Sequence, residues 1–160
     1  GKRNFKSRLA NRILNPKRSG WYFYKLRTLC NHLDYVIHSR ELEQDYQKLS
    51  YYEILSKYFA AIAATTFYPT IKYWETCAAG CLTFMEITKL NKGEYLGFND
   101  GENAIFINEE NYKEKFQDYL SDINNPKWNE IAKSGREFVM KKFSNDQAVE
   151  ELVKLIKEIL

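Results

Sequence analysis

The stretch from residue 72 to residue 86, KYWETCAAGCLTFME, constrains the fold more than any other part of the chain. Pro69 precedes it, and proline is favoured at a first helical position because its missing N–H would be unpaired there in any case. Gly80 supplies the left-handed conformation that ends a helix, and the apolar run at residues 81–85 predicts a buried strand. We therefore expect a helix from about Pro69 that stops sharply against a sheet.

Strand and helix patterns alternate through the middle of the chain. Strands are predicted at residues 34–38, 60–65, 81–85 and 103–107, and Ser50 and Glu53 have the spacing of a capping box that opens a helix ending near residue 58. Alternation of this kind favours right-handed crossovers and a parallel sheet covered by helices. The predicted fold class is α/β, a three-layer Rossmann-like sheet with helices on both faces and a helical C-terminal end.

The last third of the chain is predicted to be wholly helical. One amphipathic helix spans residues 112–120, and Asn125 and Pro126 start a second. Ser144 and Gln147 have the spacing of another capping box, which opens a last helix. Its predicted buried face consists of Val149, Leu152, Val153 and Ile156.

Length and composition predict a single domain. The chain has 160 residues, of which 44% are hydrophobic, enough for one core. We divide it into a basic, aromatic, helical segment (1–33), an alternating core (34–107) and C-terminal helices (108–160). Residue 1 is Gly rather than Met, which fits an excised or processed piece.

Positive charge is concentrated at the N-terminus. Nine basic residues precede the first acidic one, Asp34, whereas the rest of the chain has 15 basic and 21 acidic residues. Phe5, Leu9 and Ile13 recur every four positions within this segment. Residues 1–27 therefore suit an anionic membrane surface, a nucleic acid, a phosphorylated acceptor or an acidic surface of a missing lobe. A solvated helix face explains the charge without a partner, and core packing explains the same apolar stripe.

The cysteines and histidines predict no metal site. Cys77 and Cys81 are four residues apart without a C-x-x-C pairing, and His32 and His38 do not complete a ligand set. We interpret the thiols as reduced packing residues. No apolar run approaches the roughly 20 residues that span a bilayer, and nothing resembles a signal peptide, so the cytoplasm is the expected compartment.

The start of the Pro69 helix is the candidate binding site. Free N–H groups of a helix terminus attract phosphate, so Pro69, Thr70, Ile71 and Lys72 are candidates for holding a diphosphate. Glu75 lies more than one turn further along, where it suits two ribose hydroxyls. An exposed helix glutamate without a ligand is the alternative explanation of Glu75.

Four segments together resemble a known family. Residues 74–81, WETCAAGC, resemble the E-A-x-A-x-G-x segment in the nucleotide-sugar-binding lobe of two-lobed (GT-B) group 1 glycosyltransferases. Residues 98–103 resemble the turn before a strand in the branch of spore-maturation glycosyltransferase-like proteins. Residues 111–120 resemble that branch's next helix, and residues 131–136 its I-A-x-x-G-R helix. The resemblance covers residues 51–160.

The resemblance implies a donor-binding lobe of a glycosyltransferase. Its ligand would be a nucleotide-diphosphate sugar, its cleft would need a second, N-terminal acceptor lobe, and the family usually works without a bound metal. Such enzymes clamp the leaving diphosphate, and an inverting enzyme takes its general base from the other lobe. This chain departs from the family pattern at Phe67, where many members have a first Glu that contacts the donor sugar.

Two further groups are weaker donor-site candidates. His38, Ser39 and Arg40 follow a predicted strand and suit base or phosphate contacts, and the turn at Gly101 suits the donor sugar. An ion pair between Arg40 and Glu43 is an equally good explanation of that arginine. A degenerate, non-catalytic nucleotide- or partner-binding module is the second hypothesis, suggested by Phe67. An α/β domain with a nucleic-acid-binding or membrane-binding N-terminus is the third.

Overall fold

A computed structural model describes residues 13–14, 20–38, 42 and 49–159. Within these residues three parallel strands form one open sheet in the order β1 (Ala60–Ala63), β2 (Leu82–Glu86) and β3 (Ile105–Ile107). Ala60 pairs with Leu82, and Phe84 pairs with Ile105. The predicted α/β class and the parallel sheet are confirmed.

Helices surround this sheet. Preceding β1 are α1 (Gly20–Phe23), α2 (Lys25–Cys30) and α3 (Tyr51–Leu55), and α4 (Lys72–Ala78) connects β1 to β2. A 3₁₀ turn (Gly93–Leu96) lies between β2 and β3. Three helices follow β3: α5 (Tyr112–Ser121), α6 (Pro126–Phe143) and α7 (Asn145–Ile159).

The predicted helix caps form. Ser50 and Glu53 bond reciprocally in a capping box at the start of α3. The Asn125 side chain accepts from the Lys127 N–H at 3.1 Å, and Pro126 opens α6. The Ser144 hydroxyl accepts from the Gln147 N–H at 3.2 Å. Each cap satisfies an N–H group that the helix itself leaves unpaired, so local sequence sets where these helices begin.

The sheet separates two apolar clusters, because successive side chains of a strand point to opposite faces. On one face Leu82, Phe84 and Ile105 pack with Leu26 and with residues of α5 and the first half of α6. On the other face Met85 packs with Tyr73, Cys77, Phe98 and Val139. Helices α2 and α5 thus cover one face and α4 covers the other, which is the predicted helix–sheet–helix layering, and α6 contributes to both clusters.

The segments that carry the family resemblance meet where α4 crosses α6. A Cβ placed on Gly135 of α6 would lie 2.4 Å from the carbonyl oxygen of Asn103, so the helix approaches that backbone at a distance only glycine permits. The neighbouring Arg136 donates from Nε to the Ala78 carbonyl at 3.1 Å, at the end of α4. Close packing and helix capping therefore explain these motif residues.

Residues 34–38 were expected to be a strand, and this prediction is wrong. The chain leaves α2 in a turn, with the Val36 N–H donating to the Leu33 carbonyl at 3.0 Å, and residues 36–38 have no regular structure. Their β-branched composition favours a strand, but a strand also needs a partner, and within the described chain the sheet ends at β1.

The prediction of a buried face on the last helix is also wrong. Val149, Leu152, Val153 and Ile156 are 44–58% exposed. Their spacing defines an apolar stripe correctly, but no described element covers it, and α7 contacts chiefly α6. None of the described helices combines the length and the low polarity needed to cross a bilayer.

Candidate functional site

A pocket of about 390 Å³ lies along the outer side of β1. Its walls come from α2, the turn after α2, α3, the first turns of α4, and α5. Most of the lining is apolar or aromatic, including Tyr35, Tyr58, Phe84, Phe116 and Tyr119. The lining residues in the described chain include Arg27 and Lys72 but no Asp or Glu, so this pocket is electropositive.

Arg27 and Lys72 provide that charge. The Arg27 guanidinium lies 3.8 Å from the centre of the Tyr24 ring, and the Lys72 ammonium lies 5.3 Å from the centre of the Tyr51 ring. Burial, with a contribution from the charge on Arg27, lowers the pKa of Lys72, and Glu75 acts against that shift. Neither cation has an ion pair with the described residues, so an anion bound here would relieve their mutual repulsion.

Helix α4 begins at Lys72, three residues later than the Pro69 start that the sequence predicted. The N–H of Tyr73 donates to the Thr70 carbonyl, and the N–H groups of Trp74 and Glu75 donate to the Ile71 carbonyl, all at 3.0 Å. The amides of residues 73–75, in the first turn of the observed helix, are therefore paired with carbonyls of the turn at residues 70–71. Glu75 consequently belongs to the first turn rather than to a position more than one turn inside the helix.

The predicted site residues do not all line one pocket. Lys72 and His38 line the electropositive pocket together, whereas Pro69, Thr70, Ile71 and Glu75 are not among its lining residues. Glu75 is half-buried and acts electrostatically on Lys72. Gly101, with φ of 76°, lines a different groove of about 530 Å³ beside β3. Ser39 and Arg40 lie outside the described residues.

The carboxyl ends of β1 and β2 are joined by a buried polar network that sequence reasoning missed. The Asn91 side-chain amide donates to the Glu86 carbonyl at 2.6 Å and to the Thr65 carbonyl at 3.1 Å. The Tyr73 hydroxyl donates to the same Glu86 carbonyl at 2.8 Å. Asn91 thus ties the two strand ends together, a role that only the fold reveals.

Glu86 itself is a buried acid at the end of the central strand. It is 2% exposed, and its Oε2 atom has no hydrogen-bond partner among the described residues. Burial, and secondarily the charge of Glu109, raises the pKa of Glu86 to about 7. The sequence signal that could have identified it is a carboxylate directly after the apolar run at residues 81–85.

Phe67 lies in an aromatic cluster. Its ring stacks on Tyr22 with centroids 4.4 Å apart and meets the edge of Phe23 at 5.5 Å. The Thr66 N–H donates to the Phe23 carbonyl at 3.0 Å, and the Lys25 N–H donates to the Thr66 hydroxyl at 3.3 Å. These contacts hold α1 and α2 against the loop that follows β1.

The described residues include no cluster of three or more His, Cys, Asp or Glu that could hold a metal ion. Burial raises the pKa of the Cys30 thiol to about 12, and those of Cys77 and Cys81 to about 11. All three thiols are buried and free, which fits packing residues rather than reactive ones.

Comparison with known protein families matches residues 18–154 to the family described as glycosyl transferase-like. No curated protein and no solved structure matches significantly. The family match covers most of the chain, including the sheet, the electropositive pocket and the crossing of α4 with α6. The chain belongs to the glycosyl transferase-like family.

Proposed function

We propose that this chain binds the nucleotide-sugar donor of a glycosyltransferase. One observation carries the proposal: in a glycosyl transferase-like chain, Arg27 and Lys72 enter one apolar and aromatic pocket that no described carboxylate lines. Nucleotide sugars combine the matching chemistry, a diphosphate with two negative charges and a nucleoside with flat, partly apolar surfaces. The pocket volume also lies in the range of small-molecule sites, about 300–1,000 Å³.

Side-chain cations rather than helix amides would hold the diphosphate. Helix α4 has seven residues, and its amides at residues 73–75 are already paired with Thr70 and Ile71 carbonyls. Arg27 and Lys72 remain as donors that can form charge-assisted bonds with phosphate oxygens. The apolar lining of the pocket strengthens such bonds, because the effective dielectric constant falls away from bulk water.

Glu75 remains our candidate for the ribose. It stands in the same first turn as Lys72, and no hydrogen bond to its carboxylate is present within the described chain. A diphosphate on Lys72 would bring the attached ribose within reach of that carboxylate. In this proposal Pro69, Thr70 and Ile71 form the loop beside Lys72 at the edge of the site, and His38 contributes from the lining of the pocket.

The chemical contribution of this site would be stabilisation of the leaving group. When the bond from the sugar to the diphosphate breaks, negative charge grows on the diphosphate oxygens, and fixed cations lower the energy of that state. The proposal requires no bound metal. The acceptor and any general base would come from a second lobe, which completes the cleft.

A non-catalytic nucleotide-binding module is the second candidate. Phe67 favours it, because its ring is packed against Tyr22 and Phe23 where many group 1 transferases would have a sugar-contacting carboxylate. Such a module would bind the nucleotide but neither transfer nor hydrolyse the sugar.

Replacing Lys72 with Met should weaken donor binding. Loss of one charge-assisted bond of about 1.5–3 kcal/mol corresponds to roughly tenfold to 100-fold lower affinity. Titration calorimetry of the chain with UDP-, GDP- and ADP-sugars, for Lys72→Met and the unchanged protein, measures the difference and identifies the preferred base. Methionine retains the apolar part of the side chain, so packing changes little.

Lys141→Met is the matched control, since Lys141 is an exposed lysine near the end of α6. This variant should bind the donor with the same affinity as the unchanged protein. Glu75→Ala should lower affinity in the same titration if its carboxylate holds the ribose. Absence of binding by the folded, unchanged chain to every donor would contradict the proposal. Binding without transfer or hydrolysis, when an acceptor lobe is present, would favour the non-catalytic module.

A further inference from the structure

The Glu86 carboxyl group lies beside α2, at the carboxyl end of the central strand. Leu26 and Cys30 of α2 are fully buried against the same face of the sheet, and Glu86 interacts electrostatically with Cys30. At this depth an ionised carboxylate needs hydrogen bonds or a cation, yet Oε2 has no described partner. The position therefore accommodates a neutral, protonated carboxyl group and disfavours the anion.

None of the described groups that interact with Glu86 compensates a negative charge. Cys30 faces it from α2, with Tyr112 of α5 beside that thiol, and Tyr73 approaches from α4. Glu109, in the loop after β3, adds a like charge. Lys25 of α2 forms an ion pair with that Glu109 carboxylate.

Contacts at two ends hold α1 and α2 beside this acid. One end of this helical segment is held by two hydrogen bonds at Thr66, by the Lys25–Glu109 ion pair and by the stacking of Tyr22 on Phe67. The other end is held by the burial of Leu26 and Cys30. The ion pair is about 40% exposed on each side and so contributes modestly. A charge that forms beside this segment acts directly against these contacts.

We propose that Glu86 is a proton-operated latch, which keeps α1 and α2 on the sheet when protonated and favours their local release when ionised. The sign follows from linkage: the pKa of Glu86 is about 7 in the closed form, above its ordinary value of 4.5, so the closed form binds the proton more tightly. Release becomes more favourable as pH rises between these two values and levels off above about 7. Release of α1 and α2 by this route needs no ligand.

A consequence for the pocket rests on the proposed function. Arg27 lies on α2 and lines the pocket, so release of the segment removes one of the two cations. Donor affinity should then fall as pH rises towards 7. If the donor proposal fails, the latch is still measurable without any nucleotide.

Cysteine labelling tests the latch directly. Cys30 lies on the buried face of α2, while Cys77 and Cys81 lie in and just after α4 and serve as internal references. A dipyridyl disulfide, which reacts with thiols even at mildly acidic pH, is applied to the full chain and to Glu86→Gln from pH 5.5 to 8, and each site is quantified by peptide mass spectrometry. Dividing the two proteins' rates at each pH removes the intrinsic pH dependence of the thiol.

We expect the relative rate at Cys30 to rise roughly 20-fold between pH 5.5 and pH 8. The anion of Glu86 disfavours the Cys30 thiolate, so a direct electrostatic effect would have the opposite sign. Equal pH dependence in both proteins, or a parallel rise at Cys77 and Cys81, would overturn the latch. If Glu86→Gln does not fold, NMR of the unchanged chain decides: α2 amides must titrate with the same midpoint as the Glu86 carboxyl carbon.

Discussion

Gly135→Ala should destabilise the protein by about 2–3 kcal/mol, although alanine is the better helix former. Alanine in place of glycine gains about 1 kcal/mol of helix propensity. Against this, the new Cβ would lie 2.4 Å from the carbonyl oxygen of Asn103 and 3.6 Å from the Cys77 sulfur. Backbone cannot move aside as a flexible side chain does, so α6 must shift from the sheet, at a cost of about 3 kcal/mol or more.

Thermal unfolding followed by circular dichroism measures this effect. At about 2–4 °C per kcal/mol for a chain of this size, the midpoint should fall by roughly 4–12 °C. Gly20→Ala is the matched control, because Gly20 begins α1 and nothing lies within 4 Å of a Cβ placed there. Its stability should remain within about 0.5 kcal/mol of the unchanged chain. Equal midpoints for Gly135→Ala and Gly20→Ala would refute the close approach of α6 to Asn103.

Local signals in the sequence predict most of the architecture. Ser50, Asn125 and Ser144 place three helix starts correctly, because a cap acts on amides only two or three residues away. The strands around residues 60, 82 and 105 follow from short apolar runs, and the alternation with helices yields the parallel order. Such features depend on neighbouring residues in the chain and can therefore be predicted from the sequence alone.

The errors arise where the outcome depends on distant partners. Residues 34–38 have the composition of a strand but pair with no described strand. The stripe on α7 is amphipathic, yet a pattern cannot specify what will cover it, and Val149 and Leu152 remain more than half exposed. At α4, the helix begins three residues later than the pattern predicted, and its amides at residues 73–75 pair with carbonyls of the preceding turn.

The candidate site shows the same contrast between features set by near neighbours in the chain and features set by distant partners. Lys72 and Glu75 were identified from the helix that contains them, and they remain donor-site predictions. Arg27 is 45 positions away from Lys72, and only the packing of α2 against the edge of the sheet brings both cations to one pocket. Sequence reasoning counted Arg27 merely among the basic residues of the N-terminal segment. Glu86 was overlooked because the strand was expected to end at Met85, one residue too early.

Asn91→Asp should destabilise the protein by about 3 kcal/mol or more at neutral pH, because it removes donors from a buried site without changing its shape. The Asn91 amide donates to two strand-end carbonyls, those of Thr65 and Glu86, and lies 3.4 Å from the Tyr73 hydroxyl. Its oxygen accepts from the N–H groups of Thr88 and Gly93. Aspartate keeps the acceptor but directs a negative oxygen at the two carbonyls.

Asn108→Asp is the control that separates the loss of donors from the introduction of charge. Asn108 also follows a strand, β3, but its side-chain oxygen only accepts, from the N–H groups of Glu110 at 2.8 Å and Asn111 at 3.0 Å. Aspartate makes the same bonds, so urea unfolding should place this variant within about 0.5 kcal/mol of the unchanged chain. Lowering the pH should restore part of the stability of Asn91→Asp, because a protonated carboxyl group regains one donor. If Asn91→Asp matched Asn108→Asp at neutral pH, the strand ends would not depend on the Asn91 amide.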